Sequence, residues 1–274
     1  MPPDVSIEKH HAIPVNESRK EVGTFRGVGE IWWPESWPPE PTAAVIDVVI
    51  PALNEERSLP LVLDEIPDEW VRQVVVADNG SSDATAAVAE RHGARVVSEP
   101  RKGYGSACLA GLDLLAEDPP DIVVFLDADH SDFPEELPRV VAPILTGDAA
   151  LSVGSRAVGV REPGALLPQA RFGNALACTL LEALFGYQFT DLGPFRAITW
   201  EALQSLQMAD PDFGWTVEMQ VKAAKQGIPA VEVPVSYRSR IGVSKVTGTI
   251  KGSFMAGYKI LWTIFAQFVD ESST

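Results

Sequence analysis

Cysteine, positive charge and long apolar runs are all scarce in this sequence. Its 274 residues include 2 cysteines, Cys108 and Cys178, which stand in apolar stretches without the CxxC spacing of a metal site. So few cysteines exclude a disulfide framework and favour a reducing cytoplasm. The formal net charge of -16 excludes a general nucleic-acid binder, because binding to polyphosphate requires a cationic surface. The remaining composition, 46% hydrophobic and 22% charged, is typical of a globular protein.

Secretory and membrane-spanning signals are missing as well. No basic segment followed by an apolar core opens the sequence, and no uncharged apolar run reaches about 18 residues. We therefore expect a cytoplasmic protein that is either soluble or in peripheral contact with the inner face of the cell membrane. Basic residues are concentrated in residues 219–268, where Glu232 is the single acid. This basic tail favours an anionic ligand.

The N-terminal 43 residues differ in pattern from the centre of the sequence. They are rich in proline and show no helical or alternating period, so we expect an irregular extension. Its tryptophans Trp32, Trp33 and Trp37 are costly to leave in water. We expect them to pack on the main domain or on the second subunit of a homodimer.

Residues 249–274 predict a C-terminal amphipathic helix and tail. Lys251, Lys259 and Trp262 in this helix make peripheral membrane contact one option, and burial in the core or a dimer contact is the other. The spacing predicts one apolar face, formed by Ile250, Phe254, Tyr258, Leu261, Phe265 and Phe268.

Short apolar runs alternate with helical patterns from residue 44 onward. Runs such as VVVAD and IVVFL are apolar throughout, and each precedes a segment of helical period. Strands of this kind, in a strand, helix, strand series, are typical of a parallel sheet buried on both faces. We therefore predict an α/β fold with an open, mostly parallel, Rossmann-like sheet and helices on both faces. Ligands of such sheets bind beyond the carboxyl ends of the strands.

A pair of carboxylates follows one of these strands. The predicted strand DIVVFL runs into the loop DADHSD, which places Asp127 and Asp129 two residues apart on a turning backbone. Their oxygens are the hard ligands that Mg²⁺ and Mn²⁺ prefer, and phosphate oxygens and water would complete the coordination. This chemistry favours a nucleotide diphosphate as ligand. The alternative for an isolated Asp-x-Asp is a polar loop whose aspartates cap a helix.

Other polar loops are expected on the same rim of the sheet. Asn54 and Glu55 follow the first predicted strand, Asp78 ends the second, and Lys102 and Gly103 follow the third. Carboxylates and amides at this rim can hydrogen-bond a base and a ribose, while the lysine and the adjoining helix N-terminus favour phosphate. Each loop taken alone has a structural alternative, such as helix capping.

Four motifs together resemble a known family. VVIPALNEE, VVADNGSSDAT, RKGYGSA and FLDADHSDFP, in this order and spacing, are similar to the nucleotide-binding half of family 2 glycosyltransferases with the GT-A fold. The similarity continues through GSRAVG, TDLGPFRAI and RIGVSK over residues 44–262, and is greatest to dolichyl-phosphate mannosyltransferases and polyprenyl-phosphate glycosyltransferases. It implies a GT-A domain at 44–248, with a nucleotide-binding half at 44–135 and an acceptor half at 136–248.

The resemblance implies a donor site around the paired aspartates. Asp127 and Asp129 would hold the metal, and Ser131 stands where several relatives have a third ligand. The nucleotide sugar would contact a larger set of residues, namely Pro51, Ala52, Asn54, Glu55, Asp78, Lys102, Gly103 and Ala128.

Further along the sequence, the resemblance implies cationic groups on both substrates. Arg240, Ser244 and Lys245 match a loop that closes over the donor pyrophosphate, and the arginine and lysine would stabilise the leaving group during catalysis. Arg156 and Arg171 match positions near the acceptor phosphate. The acceptor loop has LGPFR where relatives often have GSGFR, so we expect this loop to be stiffer than theirs.

The implied reaction is an inverting transfer from a GDP-sugar or a UDP-sugar to a polyprenyl phosphate. Such an acceptor is already anionic and needs no general base, whereas a hydroxyl on a small metabolite or glycan would need one. Asp191 and Glu218 are the candidates for that base, and for each the alternative is a structural ion pair. A non-catalytic protein that binds sugar nucleotides is a further alternative.

Overall fold

The computed structural model describes residues 30–32, 43–242 and 250–271, and in these residues one sheet contains every strand. Its first half consists of four strands that the sequence predicts, which are β2 (Ile46–Ala52), β3 (Gln73–Asp78), β4 (Arg95–Ser98) and β5 (Ile122–Phe125). They run parallel in the order β5-β2-β3-β4. Val49 of β2 lies opposite Val75 of β3 and Phe125 of β5, and all three side chains are buried. Neighbours on both sides explain why these runs are apolar throughout.

The second half of the sheet contains the strands β1 (Glu30–Ile31), β6 (Leu151–Ser155), β7 (Arg196–Thr199) and β8 (Ala230–Pro234). The order β1-β8-β6-β7 continues into β5, which gives eight strands in the described residues. β7 pairs antiparallel with both β5 and β6, and the other described strand pairs are parallel. The predicted α/β fold with a mostly parallel sheet is confirmed, although the sequence pattern did not identify β7, and β1 lies in the extension that was expected to be irregular.

Helices cover both faces of the sheet, as predicted. Alternate residues of β2 point to opposite faces, so that Val48 and Ile50 pack beneath α1, α2 and α4, and Val49 packs beneath α3 and the helices of the second half. The helices are α1 (Leu59–Glu65), α2 (Thr85–Arg91), α3 (Tyr104–Leu115), α4 (Leu137–Leu145), α5 (Pro168–Phe185), α6 (Trp200–Leu206), α7 (Trp215–Gln226) and α8 (Ile250–Glu271).

The C-terminal helix α8 turns a different face to the core from the one that the spacing predicts. Ile264 is fully buried, whereas Phe265 and Tyr258 of the predicted apolar face are 51% and 56% exposed. Trp262 and Val269 share the exposed side with them, because positions 258, 262, 265 and 269 follow helical spacing. Apolar side chains stand on more than one side of this helix, so its pattern did not determine which side packs. Ile250 and Phe254 have side chains outside the described part of the chain.

The N-terminal extension contributes one buried tryptophan to the main domain. The indole nitrogen Nε1 of Trp32 donates a hydrogen bond to Oδ2 of Asp148 at 2.9 Å, and its ring packs against Ala149, Val231 and Val233. This tryptophan therefore packs within its own chain, while Trp33 and Trp37 lie outside the described residues. None of the described helices combines the length and apolar character that crossing a bilayer requires. The boundaries of the N-terminal extension, the central domain and the C-terminal helix with its tail stay predictions.

Candidate active site

Asp127 and Asp129 lie where β5 ends and the chain turns away from the sheet. The hydroxyl of Tyr104 donates to Oδ1 of Asp127 at 3.1 Å, and the guanidinium of Arg240 lies 3.1 Å from Oδ2 of Asp129. The backbone N–H of Ser131 donates to Oδ1 of Asp129 at 2.9 Å, and the Ser131 hydroxyl donates to the same oxygen. The pKa of Asp127 is raised to about 7, chiefly by burial and then by the charge of Asp129.

Asp132 is a third carboxylate beside this pair. Its side chain is 2% exposed, and neither of its carboxylate oxygens has a hydrogen-bond partner in the described residues. Burial and the nearby Asp127 raise the pKa of Asp132 well above its usual range. Our sequence predictions did not include Asp132 as a site residue, although three aspartates in six positions were the available signal. We call Asp127, Asp129 and Asp132 the carboxylate cluster.

The carboxylate cluster fits a divalent cation that is completed by other ligands. Unpaired buried carboxylate oxygens are unfavourable unless a cation or a proton compensates them. Among the described residues, no three His, Cys, Asp or Glu side chains are arranged to enclose a metal by themselves. Mg²⁺ and similar ions are often held by one or two carboxylates together with phosphate oxygens and water, which matches this donor set. Asp127 and Asp129 would therefore hold the metal together with a phosphorylated ligand.

The predicted nucleotide residues lie on the neighbouring loops of the same rim. Pro51 and Ala52 end β2, and Ala128 is buried between the paired aspartates. Asn54 has a positive φ of 53°, and its Oδ1 accepts a hydrogen bond from the N–H of Ser82 at 2.7 Å. The loop after β2 is thereby tied to the loop after β3.

Two acidic side chains on this rim accept hydrogen bonds from neighbouring groups. Glu55 accepts a hydrogen bond from the hydroxyl of Ser58 at 2.7 Å and lies 3.4 Å from Arg240. Asp78 accepts from the N–H of Ser81 at 3.3 Å, and its side chain is buried. Arg240 thus bridges the loop after β2 and the carboxylate cluster. Ser244 and Lys245, the other two residues predicted for the donor pyrophosphate, lie outside the described residues.

Asn79 holds the segment that contains Lys102 and Gly103. Its Nδ2 donates to the carbonyl oxygens of Glu99 and Arg101 at 3.0 and 2.7 Å, and its Oδ1 accepts from the N–H of Gly103 at 2.9 Å. Sequence reasoning missed Asn79, and its position directly after Asp78 was the available signal. Nζ of Lys102 donates to two backbone carbonyls of the 79–80 turn, each at 3.0 Å.

Glu218 supports a loop that packs against the N-terminus of α3. It accepts hydrogen bonds from the N–H groups of Ala209 and Asp210, at 3.2 and 2.8 Å, and pairs with Lys222 at 2.8 Å. A Cβ atom on Gly105 would come within 1.9 Å of the carbonyl oxygen of Asp210, so only glycine permits this approach. These contacts favour the structural alternative for Glu218, and its role as a base stays a prediction.

Asp191 is enclosed by donors. Nε and Nη2 of Arg156 donate to its two oxygens at 2.8 and 2.7 Å, and the N–H of Arg156 donates to Oδ2 at 2.7 Å. The guanidinium of Arg156 also lies 5.0 Å from the centre of the Tyr237 ring. Glu232 accepts from the N–H groups of Thr190 and Asp191 at 2.8 and 2.9 Å, and its pKa is raised to about 7, chiefly by burial. Asp191 thus forms the ion pair that was the alternative to a general base.

A cavity of about 420 Å³ adjoins this ion pair, and Asp191 is one of its lining residues. Arg171 lines it, as the resemblance implies for an acceptor-binding residue, but Arg156 is not among its lining residues. The lining is mixed, with Arg161, Thr190 and Asp191 beside apolar groups that include Phe172. The structure therefore brings Arg171 to the cavity, whereas the guanidinium of Arg156 is paired with Asp191.

The family model for glycosyl transferase family 2 matches residues 47–199, which is more than half of the chain. The match spans the loops after β2, β3 and β5, the carboxylate cluster and both members of the Arg156–Asp191 pair. The chain belongs to glycosyl transferase family 2.

Relatives and solved structures agree with membership of glycosyl transferase family 2. An uncharacterized glycosyltransferase of Mycobacterium tuberculosis is 42% identical over 214 residues, covering 77% of this chain and 94% of the relative. The undecaprenyl-phosphate mannosyltransferase of Micrococcus luteus is 33% identical over 220 residues, covering 74% of this chain and 88% of that protein. Glucosyl-3-phosphoglycerate synthase of M. tuberculosis, solved with Mn²⁺, UDP-glucose and phosphoglyceric acid, superimposes with a TM-score of 0.69 at 26% identity, covering 88% and 87% of the two chains.

These comparisons confirm the predicted family, the GT-A fold and the assignment of the chain as an enzyme. The comparisons also support binding of a nucleotide sugar by this family 2 glycosyltransferase.

Proposed function

We propose that this family 2 glycosyltransferase is an inverting, metal-dependent enzyme that moves a sugar from a nucleotide-diphosphate sugar to a polyprenyl phosphate. The observation that carries the proposal is that Arg156 pairs with Asp191, which lines the arginine-containing cavity, and that the charge of Arg156 also acts on Asp127 and Asp132 of the carboxylate cluster. The similarity to the undecaprenyl-phosphate mannosyltransferase supports the acceptor. The structural similarity to a synthase solved with Mn²⁺ and UDP-glucose supports the donor and the metal.

On the donor side, Asp127 and Asp129 would hold Mg²⁺ or Mn²⁺ against the diphosphate. When bound, the metal would neutralise the negative charge that grows on the departing diphosphate. Arg240 lies beside Asp129 and Glu55, and its Nε has no hydrogen-bond partner in the described residues. This guanidinium is therefore a suitable donor to a phosphate oxygen. We propose the same role for Lys245 on the resemblance of its motif alone.

On the acceptor side, the contacts of Asp191 and Glu218 support a nucleophile that needs no base. Asp191 is held by Arg156 and Glu218 by Lys222, and both side chains are buried. A carboxylate that is already paired is a poor proton acceptor, because protonation would break its ion pair. A phosphate monoester is ionised at neutral pH and attacks without losing a proton.

The second candidate acceptor is a hydroxyl on a small metabolite. The observation that favours it is the similarity to glucosyl-3-phosphoglycerate synthase, a structure that contains phosphoglyceric acid. Replacing Asp191 or Glu218 by the corresponding amide separates the two candidates. Transfer to a hydroxyl would lose most of its rate through kcat, whereas transfer to a phosphate would not depend on either carboxylate as a base.

A lipid acceptor also requires access to a membrane, and we propose peripheral contact with the inner face of the cell membrane. Phe172, 72% exposed, stands at the cavity, and Trp262 on α8 is 58% exposed. Aromatic side chains of this kind are favoured at membrane interfaces. Co-sedimentation with lipid vesicles tests the contact. A second copy of the chain that covers the exposed side of α8 would instead appear as a dimer by light scattering.

The decisive experiment is a transfer assay with undecaprenyl phosphate and either UDP-glucose or GDP-mannose, in the presence of Mn²⁺. We expect Asp127→Asn and Asp129→Asn each to lower kcat/KM by about 100-fold or more, as loss of transition-state charge stabilisation does in other enzymes. Asp113→Asn is the matched control, because Asp113 is an exposed aspartate on α3. Undiminished transfer by both aspartate variants would refute the metal role.

The donor can be identified without knowledge of the acceptor. A ligand that binds the folded state raises the melting temperature by mass action, so UDP-glucose and GDP-mannose can be compared with and without Mn²⁺ or Mg²⁺. We expect one of the two donors to raise the melting temperature only when the metal is present. Equal stabilisation with and without metal would contradict a metal-bridged donor.

A further inference from the structure

We infer that Glu65 is a positioning residue for the donor site. Through Arg238, it fixes the register between the loop that carries Asp129 and the segment that carries Arg240. The inference rests on the proposed function and deepens it, because it names a residue outside the site that controls how the metal and the diphosphate are held. The resemblance and its motifs assign Glu65 no role.

Glu65 lies at the end of α1 and accepts hydrogen bonds from two side chains. Nη2 of Arg238 donates to Oε2 of Glu65, and Nε2 of His130 donates to Oε1 at 3.0 Å. Burial acts to raise the pKa of Glu65, but the hydrogen bonds and charges of Arg238 and His130 hold it below its usual value. The carboxylate is therefore ionised and forms charge-assisted hydrogen bonds, which are stronger than neutral ones.

Arg238 ties the loop of the carboxylate cluster to the segment after β8. Its Nε and Nη2 donate to the carbonyl oxygens of His130 and Asp132, at 2.8 and 3.1 Å. Its backbone N–H donates to the carbonyl oxygen of Ser131 at 2.9 Å. Its guanidinium lies 4.3 Å from the centre of the Phe133 ring. Three consecutive carbonyl groups of the loop thus accept from one arginine, so the position of Arg238 determines the shape of the loop.

The loop requires this support because one of its residues has an unfavourable backbone conformation. His130, between Asp129 and Ser131, has a φ of 62°, which is uncommon for residues other than glycine. Such a conformation persists where the surrounding structure fixes it. Glu65 holds the ring of His130 and Arg238 holds its carbonyl oxygen, so both act on the residue next to Asp129.

The segment that contains Arg238 also brings Arg240 to the paired aspartates. The guanidinium of Arg240 lies 3.1 Å from Oδ2 of Asp129 and 3.4 Å from Oε1 of Glu55. The N–H of Ile241 donates to the carbonyl oxygen of Asp129 at 2.9 Å. Arg238 and Ile241 therefore pair the segment with the loop on both sides of Arg240. A shift of Arg238 would move this guanidinium away from the phosphate that we propose it contacts.

A purely structural ion pair is the alternative role for Glu65. Its side chain is 32% exposed, so we expect the fold to survive loss of the carboxylate. An ion pair that only stabilises the fold would affect the melting temperature and leave ligand affinity unchanged. A positioning residue changes ligand affinity, and the change depends on Arg240 because the effect passes through that guanidinium.

Isothermal titration calorimetry of the full chain with UDP or GDP, in the presence of Mn²⁺, tests the inference. The nucleotide that binds the wild type more tightly serves as the probe. We expect Glu65→Gln to raise the Kd of this probe by about 10-fold, the effect of losing a hydrogen bond to a charged group. Glu69→Gln changes an exposed glutamate four residues further along, and as the matched control it should bind like the wild type.

A double-mutant cycle distinguishes the two roles of Glu65. Arg240→Ala should itself raise the Kd, and adding Glu65→Gln to it should raise the Kd by less than about 3-fold more. A 10-fold loss from Glu65→Gln in both backgrounds would overturn the inference, since Glu65 would then act without Arg240. Wild-type affinity of Glu65→Gln would also overturn it, whatever happens to the melting temperature.

A second variant keeps the inference testable if Glu65→Gln does not fold. Glu65→Asp keeps the charge, but its shorter side chain cannot reach both Arg238 and His130. We expect it to raise the Kd by about 3-fold, and this loss should disappear in the Arg240→Ala background. An unchanged Kd in Glu65→Asp would then overturn the inference.

Failure of the inference and failure of the proposed function give different results. If the wild type binds neither UDP nor GDP with Mn²⁺, the metal-bridged donor of the proposed function fails, and the inference fails with it. If the wild type binds the probe and the Glu65 variants bind it equally well, the inference alone is overturned.

Discussion

Arg156 and Asp191 form a buried ion pair with two parallel hydrogen bonds, at 2.8 and 2.7 Å. The pair joins the end of β6 to the segment before β7, 35 residues further along the chain. Asp191 lines the cavity of about 420 Å³, and the charge of Arg156 acts on Asp127 and Asp132 of the carboxylate cluster, so the pair has neighbours in both places. Its contribution to stability is therefore the first property to measure.

Removing both partners of this pair should cost less than the sum of the two single losses. Asp191→Ala leaves a buried guanidinium and Arg156→Ala leaves a buried carboxylate, and each should lower the free energy of unfolding by about 3–5 kcal/mol. The double variant should lose clearly less than the sum, because it leaves no unpaired charge. Urea unfolding measures all three, and Asp191→Asn replaces the alanine variant if that protein does not fold. Additive losses would show that the two side chains act independently.

The carboxylate cluster should destabilise the metal-free protein. Both oxygens of Asp132 are buried and have no hydrogen-bond partner among the described residues, and its pKa is raised by burial and by Asp127. We expect Asp132→Asn to raise the free energy of unfolding by about 1 kcal/mol or more at pH 8, since it removes a like charge from the cluster. Thermal unfolding in EDTA measures this, with Asp113→Asn as the exposed control. A lower stability of Asp132→Asn would contradict like-charge repulsion in the cluster.

The stability advantage of Asp132→Asn over the wild type should shrink when ligands are added. With Mn²⁺ and UDP present, the wild type should gain more stability than the variant, because the full negative charge of the cluster attracts the cation. Equal gains in both proteins would place the cation away from Asp132.

The buried carboxylate of Glu232 should make stability fall as pH rises. Burial raises its pKa from 4.5 to about 7 in the folded protein. The folded state therefore binds more protons than the unfolded state between these two pH values, so this group's contribution to the free energy of unfolding decreases as pH rises from about 4.5 to about 7. Urea unfolding at several pH values gives the free energy of unfolding of the wild type and of Glu232→Gln. The difference between the two isolates the contribution of the Glu232 carboxyl. A flat difference over this range would contradict the shifted pKa.

Adjacent residues of α8 should differ sharply in their importance for stability. Ile264 is fully buried and Phe265 is 51% exposed. We expect Ile264→Ala to cost about 2–4 kcal/mol, since it removes buried methylene groups and leaves a cavity. Phe265→Ala should cost less than about 1 kcal/mol, because its ring already contacts water. Guanidinium unfolding compares the two, and a larger loss from Phe265→Ala would indicate that a second copy or another surface covers that side of the helix.

The strands and loops of the sheet could be predicted from the sequence because their pattern is local. Runs such as IVVF are apolar on both faces, which selects a buried parallel strand, and the carboxyl ends of such strands share one rim. That was sufficient to predict the α/β sheet and to group Asp127 and Asp129 with the loops that carry Asn54 and Asp78. Sequence order and pattern thus determined the sheet and which loops share its rim.

Only the tertiary structure decided which polar groups pair with one another. Whether Asp191 is a free base or the partner of Arg156 depends on how segments 35 residues apart meet, which no local pattern encodes. The sequence also could not predict which side of α8 packs against the core, because apolar residues stand on both of its sides. The neighbouring helices α5 and α7 select one of these sides. Burial of a charge or an apolar side chain is a property of the assembled neighbours, so the ion pair of Asp191 and the burial of Ile264 emerge only when the chain is folded.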